Sequence, residues 1–138
     1  MQLLIHSNAS YLSVAQARIR TRGVHFLNKG PPDPDNQEDF FPTYTNILPI
    51  VCKIMHNIMA SAAEDEYGTI FVNNQASVPI RTTLSKMEWK QGPMGIQVEN
   101  STVLGITTKE FCQKKSKAMD MGFYWINRRI KQVKFRLF

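Results

Sequence analysis

Residues 29 to 46, KGPPDPDNQEDFFPTYTN, constrain the fold more than any other stretch, because Pro31, Pro32, Pro34 and Pro42 fall among acids and asparagines. A proline fixes φ and has no N–H to donate, so this segment can be neither a helix nor a central strand. It must be a loop, and the apolar runs on either side are expected to be two antiparallel strands joined by it.

Upstream, QLLIHSNASYLSV reads as a strand running up to the small polar cluster Ser7, Asn8, Ala9, Ser10. A second strand is expected near Gly23 to Asn28, and a third over residues 47 to 54, ILPIVCKI, where Pro49 interrupts the early ladder bonds. Helical spacing takes over at Ser61. Ala63, Tyr67, Ile70 and Phe71 recur at that period, and Ser61 with Glu64 three residues later forms a capping box. A further helix is expected over about Ala76 to Met87, with Pro79 in its first turn. GIQVEN, residues 95 to 100, is a short strand, and Ser101 to Thr107 turns into a short helix.

Ala118 to Lys131 is the best amphipathic helix of the chain: Met119, Phe123, Trp125, Ile126 and Ile130 share one face, and Asp120, Asn127 and Lys131 lie opposite. The sequence ends within a strand pattern, VKFRLF. This order of elements argues for one α/β domain over residues 1 to 138, with three sequential antiparallel strands and further strands added across helical connections. In such a mixed sheet the first and fourth strands can be neighbours.

The net charge of +6 is placed unevenly. From residue 114 onward there are eight cations, Lys114, Lys115, Lys117, Arg128, Arg129, Lys131, Lys134 and Arg136, against the single acid Asp120, so that segment carries +7 and the rest −1. A basic segment of this kind suits a polyanion such as nucleic acid. Trp89 and Trp125 are candidates to stack on bases, although Trp125 shares the apolar helix face and reads as core. Cys52, Cys112 and three histidines show no zinc spacing and no disulfide framework, and both cysteines are expected as buried thiols. No apolar run is long enough to span a bilayer and no signal peptide pattern opens the chain, so an intracellular location is expected and no membrane partner.

Asn8, the acids Glu64 to Glu66, and Glu99 fall at the ends of expected elements, where adjacent first and fourth strands would bring them together. Converging carboxylates are what two Mg²⁺ ions about 4 Å apart require, since hard cations take oxygen ligands.

Four strings, HSNASYLSVAQARIRTRGVHFL, MASAAEDEYG, IQVENSTVLGITT and SKAMDMGFYWINRRI, resemble in order and spacing the ribonuclease H domain of copia-type LTR retrotransposon polyproteins. The resemblance implies the RNase H-like fold, a five-stranded mixed sheet flanked by helices, and Mg²⁺-dependent cleavage of the RNA strand of an RNA–DNA hybrid. It also implies damage. Asn8 stands where the family has the Asp that bridges both metals. Glu66 matches the Glu before Tyr that supplies the second ligand, a choice helical phase could not make between Glu64 and Glu66. Glu99 stands where the family has Asp, and its extra methylene moves the carboxylate by on the order of 1 Å, more than a preorganised site tolerates. The fourth ligand, an Asp in a helix beyond the last strand, has no counterpart. The expectation is a degenerate domain with residual nucleic-acid binding; the alternative is a non-enzymatic structural or protein-binding domain within a larger assembly.

Overall fold

A computed structural model of the chain describes residues 2–14, 18–28, 46–55, 61–100, 103, 117–132 and 134–137. Alternation along the first strand sets the architecture. In β1 (Gln2–Val14), Leu3, Ile5 and Ser7 are buried on one face, and β2 (Arg18–Asn28) answers with Ile19, Thr21, Gly23, His25 and Leu27 on the same face. This period-two alternation sets one face against the helices, while at the other end of the pair Leu4 and Phe26 are buried on the opposite face as well. β2 begins at Arg18, five residues earlier than expected, because the arginines between its buried positions hide the strand pattern in the sequence.

β3 (Ile47–Met55) pairs antiparallel with β2, and β4 (Met94–Val98) runs parallel to β1, followed by β5 (Phe135–Leu137) parallel to β4. The resulting five-stranded mixed sheet has the order β3-β2-β1-β4-β5. The first and fourth strands are therefore neighbours, as anticipated. Pro49 lies on an edge strand at an irregularity of the β2–β3 register, between the pairs Val24↔Ile50 and Phe26↔Ile47, where a missing N–H costs little.

Two helices lie across the sheet, α1 (Ala62–Lys86) and α2 (Lys117–Lys131). Ser61 caps α1 as expected, its Oγ accepting from the Glu64 N–H at 3.3 Å. The two helices expected between Ser61 and Met87 are a single one of 25 residues, and Pro79 lies inside it rather than in a first turn. A polar run at Asn73 and Asn74 looks like a break in the sequence, yet both side chains are fully buried. Asn73 Nδ2 donates to Ser7 Oγ at 2.9 Å and to the Arg22 carbonyl at 3.0 Å, tying the helix to β1 and β2. Gly23 makes this possible: a Cβ there would collide with the Asn73 amide. His25, also buried, has Nδ1 3.1 Å from the Pro49 carbonyl and Nε2 3.2 Å from the Asn73 carbonyl.

α1 ends in a Schellman motif. Trp89 N–H donates to the Leu84 carbonyl and Glu88 N–H to that of Ser85, with Glu88 at φ 65°. The core between helices and sheet gathers Leu3, Ile5, Ile70, Ile96, Ile126 and Phe135. Trp125 packs against it, edge-on to Phe71 at 5.4 Å between centroids, so its expected place in the core holds. The side chains of Met119, Asp120 and Phe123 lie outside the described residues, as does the short helix expected over Ser101 to Thr107 except for the helical Val103. Cys52 corrects an expectation: it is exposed, because β3 is an edge strand and turns this residue away from the helices. Cys112 lies outside the described residues. No helix among the described residues is long and apolar enough to cross a membrane.

Candidate functional site

Ser7 points toward α1, so alternation sends His6 and Asn8 to the opposite face of β1. The parallel ladder pairs His6 with Gln97 and Ser7 with Val98, which brings Glu99, just past the end of β4, alongside Asn8. His6 Nε2 lies 3.4 Å from Glu99 Oε1, an ion pair when the imidazole is protonated. Glu99 itself is exposed.

Glu66 enters from the first turns of α1 and is only 8% exposed. Its Oε1 has no hydrogen-bond partner among the described residues. Burial, the charge of Glu99 and the charge of Asp65, in that order, push its carboxyl up to about 7. The Glu99 contribution shows that the two carboxylates expected at one site are within electrostatic reach of each other. Asn8, midway along β1, is brought by the register beside the end of β4, with a neutral amide in place of a charge.

Two neighbours have roles that the sequence did not indicate. Asp65 is fully buried with neither carboxylate oxygen partnered among the described residues, and burial followed by the charge of Glu64 pushes it up to about 6. Its position on α1 gave no sign of burial, since it sits outside the apolar stripe. His6 was legible in principle: it is two residues before Asn8 on one strand, and hence on the same face.

Glu66 and Glu99 are the oxygen donors here that could hold a hard cation. Glu66 offers a buried, unpartnered oxygen opposed by a second carboxylate, an arrangement that a cation would relieve. A second ion would need a bridging charge, which Asn8 does not supply. Among the described residues no group of three or more His, Cys, Asp or Glu side chains converges to hold a metal.

Of the basic residues expected to bind nucleic acid, those whose side chains are described lie elsewhere. Arg128, Lys131 and Lys134 are exposed on or beside α2, whereas Arg129 is half-buried with its guanidinium 5.0 Å from the centre of the Trp125 ring. Lys114 and Lys115 lie outside the described residues, as does the side chain of Lys117. α2 packs on the α1 side of the sheet, the side away from Asn8.

A five-stranded mixed sheet of this order with helices packed across it is the RNase H fold, and solved structures agree. The chain is similar to the N-terminal RNase H domain of rv2228c from Mycobacterium tuberculosis, solved as a fusion with maltose binding protein, with a TM-score of 0.59 at 9% identity over 99% of this chain and 82% of that one. It is also similar to RNase H1 from the halophilic archaeon Halobacterium salinarum NRC-1, with a TM-score of 0.54 at 9% identity over 99% of this chain and 81% of that one. No protein-family model and no curated protein sequence matches the chain.

Proposed function

We propose that residues 1 to 138 are one degenerate ribonuclease H-like domain of copia-type retrotransposon origin, acting inside the cell, which binds RNA–DNA hybrid but has lost most or all hydrolysis. The observation that carries this reading is Asn8. Its register beside the end of β4, on a strand that α1 packs against, supports this reading, because the resemblance requires a bridging carboxylate at that position. Glu66 and Glu99 would hold a single Mg²⁺. When bound in such a site, Mg²⁺ activates a water nucleophile and stabilises charge developing on the phosphate. The chain's own residues then contribute little beyond position: an amide at Asn8 can offer a neutral oxygen, and His6, 3.4 Å from Glu99, competes with a metal for that carboxylate.

A Mg²⁺ titration with a labelled RNA–DNA hybrid tests the proposal. Binding without cleavage is the expected result, and robust cleavage by the unmodified protein would overturn it. Asn8→Asp alone should give little or no rescue, because metal ligands act as a unit and Glu99 remains too long. A second reading, a protein-binding domain without enzymatic activity, draws on the edge strand β3, which leaves Ile47, Ile50 and Ile54 exposed. Absence of both binding and cleavage would favour it.

A further inference from the structure

The face of the sheet turned away from the helices carries a row of cations that the reading above does not use. On β2 the buried Ile19, Thr21 and Gly23 alternate with Arg18, Arg20 and Arg22, of which Arg22 is exposed and the other two half-buried. Alternate residues on one face of a strand stand about 7 Å apart, close to the separation of successive phosphates along an extended nucleic-acid strand. The cross-strand pairs Asn8↔Arg22, Ser10↔Arg20 and Val14↔Arg18 align this row with β1, so that its Arg22 end lies directly beside Asn8.

Among the described residues nothing compensates the row. β1, β2 and β3 contain no aspartate or glutamate anywhere in their length. None of the three guanidiniums forms a salt bridge with a carboxylate among the described residues. Arg136 of β5 belongs to this same face, through the cross-strand series Phe26, Leu4, Gly95, Arg136. Like charges set side by side without counter-charges repel one another, and a polyanion laid along them removes that repulsion.

Resting on the nucleic-acid reading given above, we propose that Arg18, Arg20 and Arg22 form the phosphate-contact rail of this domain, leading the backbone of a bound nucleic acid to Asn8. The cations of α2 lie on the other side of the sheet, and one of them, Arg129, is already engaged with Trp125. The rail shares its face with His6 and Asn8; the basic helix does not. Contacts of this kind touch phosphates and not base edges, so they fix position without reading sequence.

The test is fluorescence anisotropy of a labelled RNA–DNA hybrid with the full chain between roughly 50 and 200 mM salt, a range over which phosphate contacts weaken steeply. Arg20→Ala/Arg22→Ala should weaken binding about tenfold or more and lower the logarithmic salt slope by about 2. Arg20→Lys/Arg22→Lys should keep most of the slope, and Arg128→Ala/Lys131→Ala should change affinity less than the rail variant. Melting temperatures of all variants, followed by circular dichroism, establish that each is folded. If the unmodified chain binds hybrid and the folded rail variant binds it equally well, the rail is wrong while the nucleic-acid reading stands. If the unmodified chain binds no hybrid, both fall. Binding of poly-L-glutamate through the same arginines, with no hybrid binding, would overturn the proposal in favour of an acidic protein partner that also uses Ile50 and Ile54 on the adjacent strand.

Discussion

Glu66→Gln should make the protein more stable at pH 8. The wild-type carboxyl rises from the ordinary value of 4.5 to about 7 in the folded chain, through burial first and then the charges of Glu99 and Asp65. A raised carboxyl pKa means that the unfolded chain loses its proton first. Stability is therefore greatest below about pH 4.5, declines as pH rises toward 7, and levels off above. Each tenfold change in proton affinity between the folded and unfolded chain corresponds to about 1.4 kcal/mol, which sets an upper bound of about 3 kcal/mol at pH 8. Water and side-chain relaxation at a site near the helix start reduce this to on the order of 1–2 kcal/mol. Glutamine keeps the shape and removes the charge, so the variant should melt roughly 4–8 °C higher at pH 8. It should gain nothing at pH 4, where the wild-type side chain is neutral as well. Thermal or urea unfolding of both proteins at pH 4, 6 and 8 makes the comparison. A variant no more stable than wild type at pH 8, or equally stabilised at all three values, would show that Glu66 does not carry a desolvated, like-charge-opposed carboxylate.

Gly23→Ala should destabilise the fold by roughly 1–3 kcal/mol in urea unfolding, because the new Cβ displaces the Asn73 amide from Ser7 and Arg22; wild-type stability would mean that Asn73 moves aside freely. Glu88→Gly should stabilise by about 1 kcal/mol, since φ 65° in the Schellman motif suits glycine better than a side chain with a Cβ; urea unfolding that shows no gain would refute this. Cys52 should react with a thiol reagent in the native protein, and Cys52→Ser should remove that fast phase; slow labelling matching global unfolding would place Cys52 in the interior.

Much of the architecture was legible because local chain geometry writes it into the sequence. β1 as Gln2–Val14, the Ser61 cap and the helix α2 each rest on periodicity or on a residue with one conformational use, while the proline-rich stretch lies outside the described residues. Glu66 was distinguishable from Glu64 only by family resemblance, because the two flank the apolar stripe of α1 on opposite sides; in the fold Asp65, Glu66, Thr69, Asn73, Asn74 and Ser77 are all buried along the helix. Their burial was invisible, since a polar residue is read as exposed unless its partner is known. For Asn73 that partner is Ser7, 66 residues away.

The same non-locality explains the remaining differences. Pro79 marks a helix start in a local reading, but in the fold one helix continues through it, held by contacts with β1 and β2 that outweigh one lost hydrogen bond. Cys52 and the arginines of β2 show period-two alternation, which says that two faces exist but not which one a helix will cover. The sequence by itself determined the five strands and their order, though not that α1 is a single helix, and resemblance to a family singled out Asn8, Glu66 and Glu99. Only the tertiary structure decided which strands adjoin, which face the helices cover and which carboxylates share a field, because each depends on residues far apart in the chain meeting across the sheet.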